Sequence, residues 1–463
     1  MQVYNSISRR LEELEPLEPG HVRIYTCGPT VYDYAHIGNL RTFMFEDLLR
    51  RTLKHLGYRV TQVMNLTDVD DKTIRASREA GLPLQQYTQR FKDAFFEDLA
   101  TLNIESAEHY PAATDHLPAM IKLVETLVTK EYAYVTDDGC VYFSIDKCET
   151  YGRLVTLNPE SMRPGERVDH DEYEKDGVAD FALWKAWKEE DGDVGWDSPW
   201  GRGRPGWHIE CSAMSMQYLG ETFDLHTGGV DNRFPHHEDE IAQSECATGK
   251  PFVRYWMHSN FLVVENKKMS KSLGNFYTLR DLLDKDYSPR AIRYLLLSAH
   301  YRQQLNFTLA GLEQAQATLD RIDEFMGRCE AAAADAPGTP PHWAESGRRA
   351  FDEALKHDLN IPEALAAIFT IIHTGNAAFD DRSLDGAGAA GVRGVMREMD
   401  AVLGFMAHEN DVAGPDIEKL VAQRQAAREA KDWAESDRMR DEIVALGWSV
   451  KDTPHGAELR KQR

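Results

Sequence analysis

A strand–helix–strand pattern near the start of the chain narrows the possible folds more than any other feature. The apolar segment HVRIYTCG is followed by LRTFMFEDLLRRTLKHLG, whose apolar residues recur at helical spacing up to the stop signal Gly57. YRVTQVMNLTDVDDKTI then supplies a second apolar run that ends in a polar turn. Strands joined through a helix pair in parallel, so the sequence predicts a parallel α/β sheet.

The pattern returns further along the chain. FDLHTGGVDNRFPHHEDEIAQSECATG again reads as strand, glycine turn and helix, and it predicts the second half of the same sheet. The acidic, turn-rich and aromatic stretch from about 115 to 205 predicts an insertion on the rim of that sheet. Beyond about residue 305 the periodicity is helical, with breaks at CEAAAADAPGTPPHWAESG and DGAGAAG.

Composition excludes several classes of protein. A length of 463 residues exceeds what one core organises, so several domains are expected. The chain has no apolar run of about 18 residues and no apolar signal-peptide segment, so we expect a cytoplasmic protein without a membrane span. The six cysteines include no CxxC pair, which argues against a disulfide framework. The net charge of −23 argues against non-specific nucleic-acid binding but allows a local basic groove.

Two short motifs have the chemistry of phosphate binding. HIGN lies where a strand turns into a helix, so backbone N–H groups and the helix dipole favour phosphate there. Gly38 leaves room for a flat base, and His36 and Asn39 can donate hydrogen bonds to phosphate oxygens. In KKMSKSLGN, Lys268 and Lys271 could follow charge developing on a pyrophosphate leaving group. Taken singly, an ordinary surface turn and a solvated lysine loop explain the two motifs equally well.

Together, the motifs resemble the two signatures of class I aminoacyl-tRNA synthetases. TCGPTVYDYAHIGNLRTF, NLTDVDDKTI, GRPGWHIECSAM, FPHHEDEIAQSE, KMSKSLGN and AKDWAESDRMRDE resemble the cysteinyl-tRNA synthetase family over nearly the whole chain. The resemblance implies an α/β fold, with a Rossmann-type parallel sheet domain, an insertion and an all-α C-terminal region made of a helical bundle and a small anticodon-binding domain.

The expected domains follow the same resemblance. They are the first half of the Rossmann catalytic domain (1–114), a connective insertion (115–205), the second Rossmann half (206–257), a stem-contact region with the KMSKS loop (258–308), a helical bundle (309–408) and an anticodon-binding domain (409–463).

The resemblance also implies a zinc site. The positions that match the family's ligands are Cys27, Cys211, His236 and Glu240. Residues four apart on a helix share a face, so the last two can reach one ion. The residues alone would not reveal this site, because Cys211 reads equally as a buried small hydrophobe and HHEDE as a capped helix start. HHEDE is not a zincin motif, since Ile241 stands where HExxH needs its second histidine.

One Zn²⁺ per chain would explain how the family selects cysteine. A thiolate is a soft zinc ligand and a serine hydroxyl is not, so the metal can discriminate at the binding step without an editing domain. The implied reaction has two steps: the cysteine carboxylate attacks the α-phosphate of ATP, which is accompanied by Mg²⁺, and the 3′-terminal ribose of tRNA(Cys) then takes the cysteinyl group. His36, Asn39, Lys268 and Lys271 are the candidates that stabilise charge on the phosphates.

Further residues match binding positions of the family. Gly38, Gly229, Asp231 and Lys271 match the ATP site, where a carboxylate can accept hydrogen bonds from ribose hydroxyls. Gly28, Thr67 and Trp207 match the amino-acid pocket. Without the resemblance, GGVD is an ordinary glycine turn and Trp207 an ordinary core aromatic. Asn39 departs from the general class I signature, which has a second histidine there; its amide still donates a hydrogen bond, so we expect activity to survive.

For tRNA, the resemblance implies anticodon reading by the C-terminal domain through stacking and side-chain hydrogen bonds. The candidates are Arg428, Trp433, Asp437 and Asp452, although a solvated charged helix face accounts for the same residues. We expect a monomer.

Two alternatives to a cysteine–tRNA ligase remain open. One is a ligase that joins cysteine to an aminosugar, which would share the zinc pocket and the adenylation motifs but lack the anticodon-binding end. The other is a catalytically silent paralogue that binds cysteine or tRNA as a sensor.

Overall fold

The computed structural model describes residues 1–155, 162–168, 178–270, 273–333, 338–406, 415–430, 432–446, 448–453 and 456–461. The chain divides into two compact units, 1–404 and 405–463. Among the residues described, no helix is both long and apolar enough to span a membrane.

The strands of the first unit are β1 (Gln2–Asn5), β2 (Arg10–Glu13), β3 (His21–Thr26), β4 (Arg59–Met64), β5 (Ala133–Val135), β6 (Val141–Phe143), β7 (Met162–Val168), β8 (Val178–Ala186), β9 (Gly203–Pro205), β10 (Phe223–Gly229), β11 (Val253–Ser259), β12 (Leu262–Val264), β13 (Lys267–Lys268) and β14 (Leu305–Phe307).

Its helices are α1 (Ile37–His55), α2 (Asp71–Glu79), α3 (Leu84–Thr101), α4 (Leu117–Thr129), α5 (Trp207–Leu219), α6 (Glu238–Thr248), α7 (Leu279–Leu283), α8 (Pro289–Leu297), α9 (Leu309–Ala332), α10 (His342–Lys356), α11 (Ile361–Asp380) and α12 (Gly386–Leu403).

A four-stranded parallel sheet in the order β11-β10-β3-β4 organises the first unit. In β3, five of the six residues are buried, because helices cover both faces of such a sheet and its central strands read as continuous apolar runs. The predicted β3–α1–β4 unit and the return of the pattern at β10 and α6 are confirmed.

Helix α1 begins three residues earlier than the apolar pattern indicates. His36 is its N-cap: its Nδ1 accepts a hydrogen bond from Asn39 N at 3.1 Å, and Asn39 Oδ1 accepts one from His36 N at 3.1 Å. This reciprocal arrangement satisfies two N–H groups that a helix start leaves without partners. The HIGN motif therefore forms the first turn of α1.

The insertion contains more regular structure than its composition indicates. After α4, the strands β5, β6, β8 and β7 form a second sheet in that order, with β9 paired to β8. Phe143, Phe181 and Trp184 of this sheet are buried in the same core cluster as Trp256 of β11. These three aromatic residues of the segment are thus core residues, whereas Trp187 is exposed.

Helices α9 to α12 confirm the predicted helical region, but DGAGAAG is a shorter break than predicted. Asp385 caps α12 by accepting from Gly388 N at 2.7 Å, and the helix begins at Gly386. Gly391 is needed there, since a Cβ on it would stand 2.3 Å from Pro340 N. Gly391 thus permits the close approach of the backbone of Thr339 and Pro340, which precede α10, to α12.

The second unit contains α13 (Pro415–Glu429) and α14 (Trp433–Ala445), followed by the antiparallel hairpin of β15 (Trp448–Thr453) and β16 (Gly456–Lys461). The helical prediction holds for the first two elements. It omitted the hairpin, whose strands are short and highly charged.

Candidate active site

The candidate site lies at the carboxyl edge of the parallel sheet. Cys27 directly follows β3, and its N–H donates to Thr227 O of β10 at 3.3 Å. Gly28 N donates to Asn65 Oδ1, beyond the end of β4, at 2.9 Å. The carboxyl ends of parallel strands are where α/β proteins bind ligands.

Four of the predicted side chains meet at this edge. Cys27, Cys211, His236 and Glu240 each offer one ligand atom, and these atoms all lie within 4.8 Å of one another. All four residues are buried. They come from three distant parts of the chain: the end of β3, the first turns of α5, and the turn into α6. The cluster could hold one metal ion.

The electrostatics of this cluster suit a cation. Burial raises the pKa of the Cys27 thiol well above its ordinary value, and the neighbouring Cys211 and Glu240 add to the rise. Burial also lowers the pKa of His236 to about 3, although the Glu240 carboxylate acts in the opposite direction. A neutral imidazole is the form that ligates metals, and a cation would offset the crowding of thiols and carboxylate.

Glu240 has one oxygen that its surroundings do not satisfy. Its Oε1 is buried and has no hydrogen-bond partner among the described residues, while His236 Nε2 lies 3.1 Å away. Its Oε2 is 3.0 Å from His226 Nε2. A buried oxygen without a partner is costly, and ligation would satisfy it. Two sulfurs, one nitrogen and one oxygen form a donor set that Zn²⁺ accepts.

A second group overlaps the first. Cys27, His226, His237 and Glu240 also place their ligand atoms within 4.8 Å of one another. The first group offers two sulfurs against one, which favours it for zinc. His226 and His237 then contact the ligands: the former touches Glu240, and His237 Nε2 lies 3.2 Å from Cys27 Sγ.

These histidines belong to a buried network that sequence reasoning missed. His237 Nδ1 lies 2.8 Å from His258 Nε2, whose Nδ1 lies 2.8 Å from Ser6 Oγ. On the other side of the cluster, His208 Nδ1 lies 2.9 Å from His236 Nδ1. A partner on the far ring nitrogen fixes how a ligating or contacting imidazole is oriented. The available signal was a histidine inside each of the strand patterns FDLHTGG and VRYWMHS.

The predicted amino-acid pocket residues lie beside the cluster. The ring of Trp207 stacks on that of His236 with centroids 4.2 Å apart. Asn65 joins the other two: it accepts from Gly28 N, and its Nδ2 donates to Thr67 Oγ1 at 3.0 Å. Asn65 is a further residue that sequence reasoning missed.

The HIGN turn is arranged to donate hydrogen bonds. Because His36 Nδ1 accepts from Asn39 N, the proton of a neutral His36 ring is on Nε2. Because Asn39 Oδ1 accepts from His36 N, its Nδ2 group remains for another partner. Each side chain thus caps α1 with an acceptor atom, and the nitrogen that can donate is a different atom of the same side chain.

The lysine loop comes next to this turn. A Cβ on Gly38 would lie 2.9 Å from the His36 ring and 3.3 Å from the Met269 methyl group, so the glycine permits the approach. Ile37 N donates to Tyr277 O at 2.9 Å, just after the loop. Asn275 closes the loop by accepting from Ser270 N and donating to Lys268 O. The Lys268 side chain is exposed, and Lys271 lies outside the described residues.

Gly229 and Asp231 lie at the end of β10, on the same edge of the sheet. Asn232 N donates to Gly229 O at 3.1 Å and closes the turn, and Asp231 is exposed. The structure therefore brings these residues to the edge that also holds Cys27.

The four tRNA candidates all fall in the second unit. The Arg428 guanidinium carbon lies 5.7 Å from the centroid of the Trp433 ring, which is 57% exposed. Asp437 is exposed one turn further along α14, where it pairs with Arg440 at 3.5 Å. Asp452 lies on β15, opposite Ala457 of β16. Arg428 and Trp433 thus form a cationic and aromatic pair at the surface.

Family models match most of the chain. Residues 13–317 match tRNA synthetases class I (C) catalytic domain, residues 350–407 match the DALR domain, and residues 412–460 match cysteinyl-tRNA ligase anticodon binding domain.

Curated relatives match over their full length. A cysteine–tRNA ligase of Protochlamydia amoebophila is 50% identical, with 100% of this chain and 98% of the relative covered. One of Chlamydia muridarum is 48% identical, with 99% of each covered.

Solved structures show the same fold at low identity. A methionyl-tRNA synthetase of Mycobacterium tuberculosis in complex with methionyl-adenylate has a TM-score of 0.59 at 15% identity, covering 83% of this chain and 89% of that one. A LeuRS–tRNA–LeuAMS ternary complex of Agrobacterium radiobacter has a TM-score of 0.60 at 12% identity, covering 85% of each chain.

Proposed function

This chain belongs to the cysteine–tRNA ligase family of class I synthetases, and on that premise we propose that it selects cysteine through a zinc ion held by Cys27, Cys211, His236 and Glu240. It is an aminoacyl-tRNA ligase, with ATP and tRNA as substrates. The observation that carries the proposal is the meeting of four ligand atoms within 4.8 Å at the edge of the sheet.

The pocket proposed for cysteine lies between Gly28, Thr67 and Trp207. Zinc bound in this cluster would take the substrate thiolate as a further ligand, which a serine hydroxyl cannot replace. The chain's own residues supply the rest of the recognition. Asn65 orients Gly28 N and the Thr67 hydroxyl, and the stacked Trp207 fixes the ring of His236.

Adenylate formation needs positioning and charge stabilisation rather than a protein nucleophile. We assign His36 Nε2 and Asn39 Nδ2 to the phosphates of ATP, because capping uses the other polar atom of each side chain. Lys268 and Lys271 would follow the charge that develops on pyrophosphate, with Mg²⁺ on the nucleotide. Gly38 leaves room for the base, and Gly229 and Asp231 are assigned to the ribose.

The tRNA is then bound at both of its ends. Arg428, Trp433, Asp437 and Asp452 are proposed to contact the anticodon by stacking and hydrogen bonding. The match of residues 412–460 to an anticodon-binding domain counts against an aminosugar ligase. The full set of HIGN, lysine-loop and metal candidates counts against a silent paralogue. The monomeric state and the cytoplasmic location stay predictions, for gel filtration and cell fractionation.

ATP–pyrophosphate exchange tests the proposal directly. Metal-depleted enzyme should lose cysteine-dependent exchange. Added Zn²⁺ should restore this exchange when one ion is bound per chain. Serine should support little exchange with or without the metal. Cys211→Ser should behave like the metal-depleted enzyme, and Cys140→Ser, which changes a buried cysteine directly before β6, is its matched control. Cysteine-dependent exchange that is unchanged after verified metal removal would refute the zinc assignment.

A further inference from the structure

A row of aromatic and cationic side chains lies at the surface beside the HIGN turn. Tyr34, two residues before His36, is 41% exposed. The guanidinium carbon of Arg280, on α7, lies 4.6 Å from the centroid of the Tyr34 ring. Phe91 of α3 meets the same ring edge-on, with the two centroids 5.3 Å apart. The segment before α1, α3 and α7 thus converge on one exposed tyrosine.

Arg90 extends this row along α3. Its guanidinium carbon lies 4.4 Å from the centroid of the Phe91 ring and 4.9 Å from that of Tyr87. Arg90 is exposed, and no ion-pair partner for it is found among the described residues. Arg280, by contrast, pairs with two carboxylates of α3, the nearer being that of Asp98 at 2.6 Å. Within this row, the charge of Arg90 is therefore the one that an incoming anion can neutralise.

Hydrogen bonds hold the backbone that presents Tyr34. Tyr87 Oη of α3 donates to Tyr32 O at 2.9 Å. Val31 N donates to Thr67 O at 3.0 Å, which fixes the same segment to the turn beyond β4. A ring held in this way loses little conformational freedom when a base stacks on it.

The row adjoins the groups assigned to ATP. His36 forms an isolated β-bridge with Thr278, the N-cap residue of α7, and Ile37 N donates to Tyr277 O at 2.9 Å. The HIGN turn and the helix that carries Arg280 are therefore in direct contact. In the transfer step, the 3′-terminal ribose of tRNA must reach the adenylate formed at this turn. The unpaired end of the tRNA therefore passes over the surface around it.

We propose that Tyr34, Arg90 and Arg280 bind the unpaired 3′ end of tRNA as it enters the candidate active site. An unpaired strand is bound by aromatic rings that stack on its bases and by cations that follow its phosphates, and this row offers both. One base stacks on Tyr34, whose ring Arg280 steadies by a cation–π contact, and Arg90 pairs with a phosphate. The three residues position the strand and take no part in bond making. This assignment rests on the proposed function, because it needs an adenylate formed at the HIGN turn.

Binding of an acceptor minihelix measures this contact without the anticodon. The full chain should bind a complete minihelix at least about fivefold more tightly than the same RNA without its last three nucleotides. Arg90→Gln and Tyr34→Leu should each lower the affinity for the complete minihelix about fivefold and leave the affinity for the shortened one unchanged. Tyr34→Phe keeps the ring and should retain the affinity. Arg349→Gln, at an exposed position of α10, controls for the loss of one positive charge.

A second measurement uses the wild type, so misfolding of a variant would leave the test intact. The complete minihelix should protect Arg90 from phenylglyoxal, which modifies exposed arginines, and the shortened minihelix should not, as read by peptide mass spectrometry. Equal wild-type affinity for the two RNAs would overturn the proposal. So would variants that weaken the binding of both RNAs equally, or protection of Arg90 by ATP alone, which would assign the row to the nucleotide.

Failure of the proposed function would be visible separately, because neither measurement needs an adenylate. A chain that prefers the complete minihelix but gives no cysteine-dependent pyrophosphate exchange would keep the RNA contact and refute the proposed activation of cysteine. A chain with normal exchange and no preference between the two RNAs would refute the RNA contact alone.

Discussion

Among single residues, Cys211 is the one for which a metal-ligating role and an ordinary buried-cysteine role can be told apart by mutation. It is 1% exposed on α5, so from burial alone it reads as a small hydrophobe. Its sulfur, however, lies within 4.8 Å of the ligand atoms of Cys27, His236 and Glu240. A packing role and a ligating role predict different consequences of a serine at this position.

We expect Cys211→Ser to lose bound zinc and to raise the KM for cysteine at least about tenfold, because the site loses one of two soft ligands. ATP binding should be unchanged, since His36 and Asn39 lie on another element. Metal analysis and equilibrium ATP binding would measure both effects. A variant that keeps zinc, or that loses ATP and cysteine affinity together, would contradict the assignment.

Glu46 gives a pH prediction. It lies on α1, fully buried, where Thr227 Oγ1 donates to its Oε1 at 2.8 Å. Burial raises its pKa from 4.5 to about 8, against the effect of this hydrogen bond. Between these values the unfolded chain releases a proton that the folded chain keeps. Glu46 therefore makes stability fall as pH rises through this interval, by up to roughly 1.4 kcal/mol per pH unit.

The variant Glu46→Gln should lack this contribution, since glutamine keeps the acceptor and does not titrate. Thermal midpoints would be measured at pH 5, 6, 7 and 8. The midpoint of the variant minus that of the wild type should increase steadily as pH rises. Glu79→Gln, at an exposed position of α2, controls for the change in net charge. A difference in thermal midpoint that is constant with pH would mean that Glu46 is not a buried neutral acid.

Among the elements, those with regular apolar spacing could be predicted from the sequence. β3, α1 and β4 were predictable because Leu40, Met44 and Leu48 recur on one helix face between two continuous apolar runs. The insertion sheet was not, since β5, β6 and β9 have three residues each, too few to show a period. Its aromatic residues are buried in a core cluster that also contains Trp256 of the distant strand β11, and no local pattern records this.

The glycines of α12 also depend on a contact that the local sequence does not record, and they give a prediction. Gly391→Ala should lower the free energy of unfolding by about 1–3 kcal/mol, because its Cβ would stand 2.3 Å from Pro340 N. Gly394→Ala, three residues along the same helix, meets nothing within 4 Å and should stabilise by up to about 1 kcal/mol. Thermal unfolding of the two variants would check this, and equal effects would refute the close approach.

For the whole molecule, the sequence could indicate the site only through the motif resemblance. Cys27 and Cys211 are separated by 184 positions, and only the folded sheet and α5 bring them together. The histidine network was missed for the same reason, because His226 and His258 become neighbours of His237 only through the parallel pairing of β10 and β11.

A variant of the proposed anticodon contact should impair the transfer to tRNA and leave the activation of cysteine unchanged. Trp433→Ala should lower kcat/KM for tRNA roughly tenfold, because stacking on one base is worth about 1–3 kcal/mol, and should leave ATP–pyrophosphate exchange unchanged. Val444→Ala, also at an exposed apolar position of α14, is the control. Loss of exchange in Trp433→Ala, or equal tRNA effects in both variants, would count against the contact.

The most direct test of the account is the transfer of labelled cysteine onto a tRNA transcript with a GCA anticodon, with and without ATP, beside a transcript with an altered anticodon. The account predicts ATP-dependent charging of the first transcript and little charging of the second. If cysteine and ATP gave adenylate that no tRNA accepted, the aminosugar ligase would become the better explanation. A complete lack of adenylate would contradict the account as a whole.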